Sequence, residues 1–293
     1  MIIVRIYEGL GNQLFQYAYA RALSLSTKQK VFLDVRETGA RISEKRLTPR
    51  KYSLNHYKIT LPICKNVSHF YPYINGSDST LEIMQKLSMV GCLPYKFYKQ
   101  KTSDYDEKIV NLKGNWYLQG WFQDSRYFQK YESIIRQEIT PKNRIKINHE
   151  LKNLLQTNNT ISVHIRRCDY KKILNMLPIS YYYNAMGYMK DRILNPFWVV
   201  FSDDINWAKE NINFGSNCYF LDERDNLQDY EELMVMSCCK NHIIANSTFS
   251  WWGAWLCKNE DKIVVGPNRW GLNRLCNYGK NILPTDWIKK SVI

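Results

Sequence analysis

Residues 1–35, MIIVRIYEGLGNQLFQYAYARALSLSTKQKVFLDV, run strand, turn, helix, strand. The apolar stretch "MIIVRIY" breaks at "EGLGNQ", and from there Leu14, Tyr17, Ala18, Arg21, Ala22 and Leu25 recur at steps of three and four. That spacing lays one largely apolar face along a helix. "KVFLDV" then returns as a strand. Two strands joined through a helix pair in parallel, and parallel sheets bind ligands at the carboxyl ends of their strands.

Working outward, residues 36 to 155 are less regular. "TGARISEKRLTPRKYSL" has loop composition, and "YLQGWFQDSRYFQKYESIIRQEI" looks like a strand leading into a helix. The basic, polar "TPKNRIKINHE", residues 140–150, reads as an interdomain linker. Beyond it the alternation resumes. Strands are expected at "ISVHI", "FWVVFSD", "CYFLD", "NHIIA" and "KIVVGP", with helices at "SYYYNAMGYMKDRIL", "INWAKENI" and "LQDYEELMVMSCC". The fold class is therefore α/β, in two domains, 1–150 and 151–293.

The 293 residues, 45% apolar and 23% charged, suit a soluble globular protein with a real core. A net charge of +14 fits a polyanionic neighbour (nucleic acid, an anionic membrane surface or a phosphorylated small molecule) or simply a surface of solvated lysines. "MIIVRIY" is too short for a signal peptide, and no window reaches the roughly 18 apolar residues of a membrane span. Eight cysteines contain no CxxC pair, which favours reduced thiols and a cytoplasmic location over disulfides or zinc. The sequons at Asn66, Asn75, Asn158 and Asn246 carry no weight without a secretory signal.

Four stretches carry side chains suited to chemistry. In the first, Gly9 and Gly11 let backbone N–H groups approach a ligand, while Asn12 and Gln13 either face that ligand or cap the helix. A dinucleotide fingerprint would need glycine where Leu14 stands, so a Rossmann oxidoreductase is disfavoured. In the second, "ISVHIRRCDY", a core strand ends in Arg166, Arg167 and Asp169. One arginine can grip phosphate bidentately while the other braces the loop through a carboxylate. The third, "FWVVFSDD", ends in Asp203 and Asp204, which either meet a base or ribose edge or cap the next helix. In the fourth, Asn246, Ser247, Thr248, Phe249 and Ser250 precede a tryptophan-rich helix, giving either plain caps or an anion site at a helix N-terminus. Asp104 and Asp106 form a D-x-D in a polar stretch and are expected to be a solvent-exposed loop; no metal site is expected.

Taken in order, "GLGNQLFQYA", "LQGWFQDSRYF", "HIRRCDY", "FSDD" and "NSTFSWWGAWL" resemble the motifs of the α-1,2-fucosyltransferases of glycosyltransferase family eleven, over nearly the whole chain. The resemblance implies a GT-B-like architecture, two Rossmann-like domains facing a cleft. The N-terminal one would hold the acceptor side, and the C-terminal one GDP-fucose, with a last helix packing back on the first domain. It implies inverting, metal-independent, cofactor-free transfer of L-fucose from GDP-β-L-fucose to the 2-hydroxyl of a galactose-terminated glycan in surface glycan synthesis. Arg166 would then bind the β-phosphate, with His164 at the guanosine end or diphosphate and Arg167 in support. Asp203 or Asp204 would meet guanine or ribose, residues 246–250 would line the diphosphate pocket, and the Gly9–Gln13 loop would close it.

Asp169 is the first candidate for the general base and Glu8 the second. Where family members usually have glycine this chain has Cys168, and many have glycine where it has Glu8. The stretch 36–115 is expected to set the acceptor. No nucleic-acid partner is implied, and peripheral contact with an anionic membrane at the inner face fits the charge. The alternatives are another inverting GT-B transferase with a different nucleotide sugar, and a basic nucleic-acid binder.

Overall fold

The structure is a computed structural model that describes residues 1–36, 51–65, 83, 86–91, 93–272, 279 and 281–292. Most of the loop "TGARISEKRLTPRKYSL", the sequons at Asn66 and Asn75, and Cys92 and Cys276 lie outside those residues. The chain divides into two units, Met1–Lys142 and Asn143–Ile293. The division falls inside the expected linker but after Lys142 rather than after residue 150. The reason is local. Asn148 caps α3 (His149–Thr157) by accepting from the Leu151 N–H at 2.7 Å, and Leu151 and Leu155 are buried in the second unit's core.

In the first unit β1 (Ile2–Arg5) is buried throughout and leads through Glu8 and Gly9 into α1 (Leu10–Thr27). β2 (Val31–Asp34) pairs parallel to β1, as the strand–helix–strand reading requires. β3 (Lys96–Lys99) and β4 (Trp116–Gln119) complete a parallel sheet of order β2-β1-β4-β3. Helix α1 is buried nearly all round, not along one stripe, because its far side is also covered. Tyr19 stacks on Phe122 at 4.1 Å, and Tyr17 and Arg21 bind Glu138 of α2 (Glu132–Glu138).

The second unit opens with β5 (Asn159–Ile165), followed by the short α4 (Cys168–Lys172) and α5 (Ile179–Lys190). Then come β6 (Pro196–Ser202), α6 (Ile205–Asn211), β7 (Cys218–Phe220) and α7 (Asp229–Ser237). β8 (Asn241–Ile243), α8 (Thr248–Leu256), β9 (Val264–Pro267) and β10 (Ile288–Lys290) follow. The parallel sheet runs β10-β9-β8-β5-β6-β7. Among the described residues the last element is β10, a strand paired with β9, and no helix follows α8. The short, partly buried "IKK" suits an edge strand.

Both faces of this sheet are covered. Ile161, Val163 and Ile165 of β5 pack with Tyr181, Met186 and Met189 of α5. The alternate residues Thr160, Ser162 and His164 point to the other face and are equally buried. There Val199 and Phe201 of β6 pack with Met236 of α7. On α8, Trp251 and Trp252 are fully buried, and the Trp251 indole N–H donates to the Ile282 carbonyl at 2.8 Å. At about 25 cal/mol per Å² and roughly 200 Å² each, their burial favours folding by up to about 5 kcal/mol apiece before entropy is counted. That anchors the helix whose first residues belong to the site.

Candidate active site

Strand register assembles the second unit's site. Ile165 pairs with Ser202 and Val163 with Ile243, so the residues that follow each strand emerge side by side. Arg166 comes out opposite Asp203 and beside Asn246. The sheet order also reverses between β5 and β8, one neighbour chain leaving toward β7 and the other toward β10. A reversal of this kind opens a crevice at the carboxyl ends of the two strands, where open α/β sheets bind ligands.

Arg166 is held by two carboxylates. Its Nη2 donates to Asp169 Oδ2 at 2.6 Å and its Nη1 lies 3.2 Å from Asp203 Oδ2, with the side chain 21% exposed. Two of five N–H donors are thus engaged, leaving a preset fork. Arg167 is the bracing arginine. Its guanidinium lies 3.3 Å over the Trp207 ring, and its Nε faces Asp204 Oδ2 at 3.4 Å. Asp204 also takes Lys171 Nζ at 2.8 Å, and these partners hold its carboxyl below the usual range. Asp203 accepts the backbone N–H groups of Arg167 and Cys168 at 2.8 and 3.1 Å. Both aspartates are therefore employed within the unit, shaping the loop and setting Arg166. Asp169 likewise braces Arg166 rather than Arg167.

His164 and Phe249 tie the arginine strand to α8, their rings 5.7 Å apart. Burial and the Arg166 charge lower the His164 pKa to about 3, so its imidazole is neutral at ordinary pH, and its buried Nδ1 has no partner among the described residues. A second tie runs from the Tyr170 hydroxyl to the Asn246 carbonyl at 2.9 Å. Asn246 itself is turned inward, its amide donating to the carbonyls of Asn175 and Trp270. Ser250 donates to the Ser247 carbonyl at 3.2 Å. Ser247 is the N-cap residue of α8 but makes no side-chain cap bond. Among the described residues no side chain caps the first backbone N–H groups of this helix, an arrangement that favours an anion.

One carboxyl was invisible in the sequence. Glu232, on α7, is pushed up to about 7 by burial and by Asp229, against the opposing pull of Arg166. It makes no hydrogen bond or ion pair among the described residues. Its only signal in the sequence is an acid among the apolar residues of "YEELMVM", on the helix that feeds β8.

In the first unit Gln13 is a bracket. Its Nε2 donates to the carbonyls of Glu8 and Lys51, and its Oε1 accepts from the Ser53 N–H. Gly9 is the helix N-cap residue and Gly11 is buried in the first turn. Asn12 donates to Glu8 Oε2 at 2.6 Å. Of the two positions where glycine is usual, Cys168 is helical and loses nothing. Glu8 instead sits at φ 66°, in the left-handed region. Of the D-x-D pair, Asp104 is exposed, while Asp106 caps a turn and accepts from the Tyr98 hydroxyl at 3.0 Å. Among the described residues no group of three His, Cys, Asp or Glu is placed to hold a metal ion, and no helix is long and apolar enough to cross a membrane.

The model of the family described as glycosyl transferase family 11 matches residues 1–290. The chain belongs to that family. It is accordingly a glycosyltransferase, and the nucleic-acid reading is set aside. It is 33% identical over 292 residues to the O-antigen biosynthesis glycosyltransferase WbnK of Escherichia coli, covering 89% of this chain and 92% of that one. It is 31% identical over 281 residues to an α-1,2-colitosyltransferase of the same species, covering 92% of each. In fold it is similar to a mutant of Arabidopsis thaliana FUT1 in complex with GDP, with a TM-score of 0.54 at 10% identity, over 94% of this chain and 73% of that one. The α/β, GT-B-like fold class stands.

Proposed function

We propose that this family 11 enzyme transfers L-fucose from GDP-β-L-fucose to the 2-hydroxyl of a β-galactoside, with inversion and without a metal ion, in the synthesis of a surface glycan. The observation that carries the reading is the pairing of a preset arginine fork with an uncapped helix N-terminus at the β5–β8 reversal. A leaving diphosphate needs such donors. As the acceptor oxygen bonds to the anomeric carbon, the bond to the β-phosphate oxygen breaks and its electron pair leaves with GDP. The growing charge falls on Arg166 and the N–H groups of α8. Neutral His164 is suited to the nucleoside, offering hydrogen-bond capacity without adding a charge beside the phosphates.

A second donor is favoured by the colitosyltransferase relative. GDP-colitose lacks the 3-hydroxyl of GDP-L-fucose and would use the same diphosphate contacts. The test offers GDP-fucose, GDP-colitose, GDP-mannose and UDP-galactose, with EDTA present, against a panel of β-galactosides, followed by linkage analysis. Transfer of fucose to the 2-hydroxyl supports the proposal. Exclusive use of GDP-colitose selects the second reading, and turnover of GDP-mannose or UDP-galactose alone overturns both.

A further inference from the structure

One helical stretch of the first unit turns its apolar side outward. Residue 83 and residues 86–89 are helical, the Val90 N–H donates to the Lys86 carbonyl at 3.3 Å, and Gly91, at φ 81°, ends the turn. Ile83, Leu87 and Val90 stand at steps of four and three, which makes a single stripe on a helix. They are 59%, 39% and 73% exposed, and neighbouring Met89 is 64% exposed. Ser88, on the opposite side, is buried. A helix that packs only for its own fold does the reverse, burying the apolar stripe and leaving the hydroxyl in water.

The sheet explains the inversion. β3 is the edge strand in the order β2-β1-β4-β3, and its Lys96 N–H points toward β4, donating to the Asn115 carbonyl at 2.9 Å. The next N–H along, that of Phe97, therefore points off the free edge, where it donates to Ser88 Oγ at 3.3 Å. The helical stretch thus covers an edge that would otherwise be open to another strand. Ser88 faces inward to make that bond, and Ile83, Leu87 and Val90 are turned outward with Met89.

Charge decides what this face meets. From Ile83 to Lys101 the chain carries Lys86, Lys96, Lys99 and Lys101 and no Asp or Glu. Lys86 is exposed next to the stripe, and Lys96 is exposed on β3. A second copy of this chain, at net charge +14, would bring like charge against these lysines. An anionic lipid surface brings the opposite charge and takes apolar side chains in below its headgroups. We propose that this face docks the first unit on an anionic membrane, with Ile83, Leu87, Met89 and Val90 at the boundary of headgroup and acyl chain and the lysines against lipid phosphates. Each lysine so placed strengthens binding about fivefold.

The test is cosedimentation of the full chain with vesicles of phosphatidylglycerol and phosphatidylcholine in equal parts, and with vesicles of phosphatidylcholine alone, at low and high salt. The parent should bind the anionic vesicles and bind the neutral ones far more weakly. Ile83→Gln, Leu87→Gln and Val90→Gln together remove the stripe but keep good helix formers. That variant should lose at least about tenfold in binding to the anionic vesicles, with a melting temperature no lower than the parent's and GDP affinity within twofold. Lys86→Gln should lose about fivefold at low salt and less at high salt. Failure of the parent to bind anionic vesicles, or binding that survives the triple variant within twofold, would overturn the proposal. So would a parent dimer in analytical ultracentrifugation that the triple variant dissolves, since the face would then belong to a second copy.

Discussion

Replacing Arg166 by lysine keeps the charge and removes the fork. In the structure one guanidinium answers two carboxylates on different elements, Asp169 at 2.6 Å and Asp203 at 3.2 Å. A single ammonium cannot span both and still offer donors to a phosphate. Loss of one oxyanion donor costs about 2.7–4 kcal/mol, so kcat should fall about 10²-fold for Arg166→Lys. Arg166→Ala should fall further, toward 10³-fold or more, because it leaves two uncompensated carboxylates facing the diphosphate. The three side chains are about one-fifth exposed, between the surface and buried extremes, so Arg166→Ala should also cost about 2 kcal/mol of stability. For a unit of this size that is a drop in Tm of roughly 4–8 °C. GDP release with GDP-fucose and a β-galactoside gives kcat, calorimetry gives GDP affinity, and a thermal melt separates folding from chemistry. A folded Arg166→Ala enzyme turning over within threefold of the parent, with unchanged GDP affinity, would refute the reasoning.

Acid should destabilise the second unit. His164 and His242 are buried, and burial above all lowers both to about 3 from 6.5. Between those values the unfolded chain binds more protons, so stability rises with pH there and is lost on acidification, by about 2 kcal/mol per imidazole at pH 5 relative to pH 7. Denaturant titrations at the two pH values check it, and His242→Gln should shrink the loss on acidification by about 2 kcal/mol. Glu232 works in the opposite sense. With its pKa raised from 4.5 to about 7, it costs stability as pH climbs through that window, by up to about 3 kcal/mol. Glu232→Gln should therefore be more stable than the parent at pH 8 and no more stable at pH 4, by chemical denaturation. Finally, EDTA should leave fucosyl transfer within twofold of its untreated rate; abolition by chelation and recovery with magnesium would defeat the metal-free proposal.

Much of the fold was legible in the sequence because the signals are local. Periodicity marked β1, α1 and β2, and the alternation from 161 onward marked five strands of the second sheet. β3 was missed because "KFYK" lies among polar residues, and β10 because three residues are too few to show a period. The second unit's site was legible in part, since strand ends that carry arginines and aspartates announce a ligand edge. Which carboxylate serves which arginine was not legible, and neither was Glu232, an acid on a helix that only packing brings into the field of Arg166.

By itself, then, the sequence determined the α/β class, the parallel sheets and the motifs that place the chain in its family. Tertiary structure alone decided the neighbours. Strand pairing joins residues far apart in the chain, and a local pattern carries no record of its partner. Only register sets Asp203 against Arg166 and Trp121 against Glu8. Backbone conformation belongs to the same class. Cys168 and Glu8 look like equal departures from glycine on paper, yet one lies in a helix and the other at φ 66° because of what surrounds it.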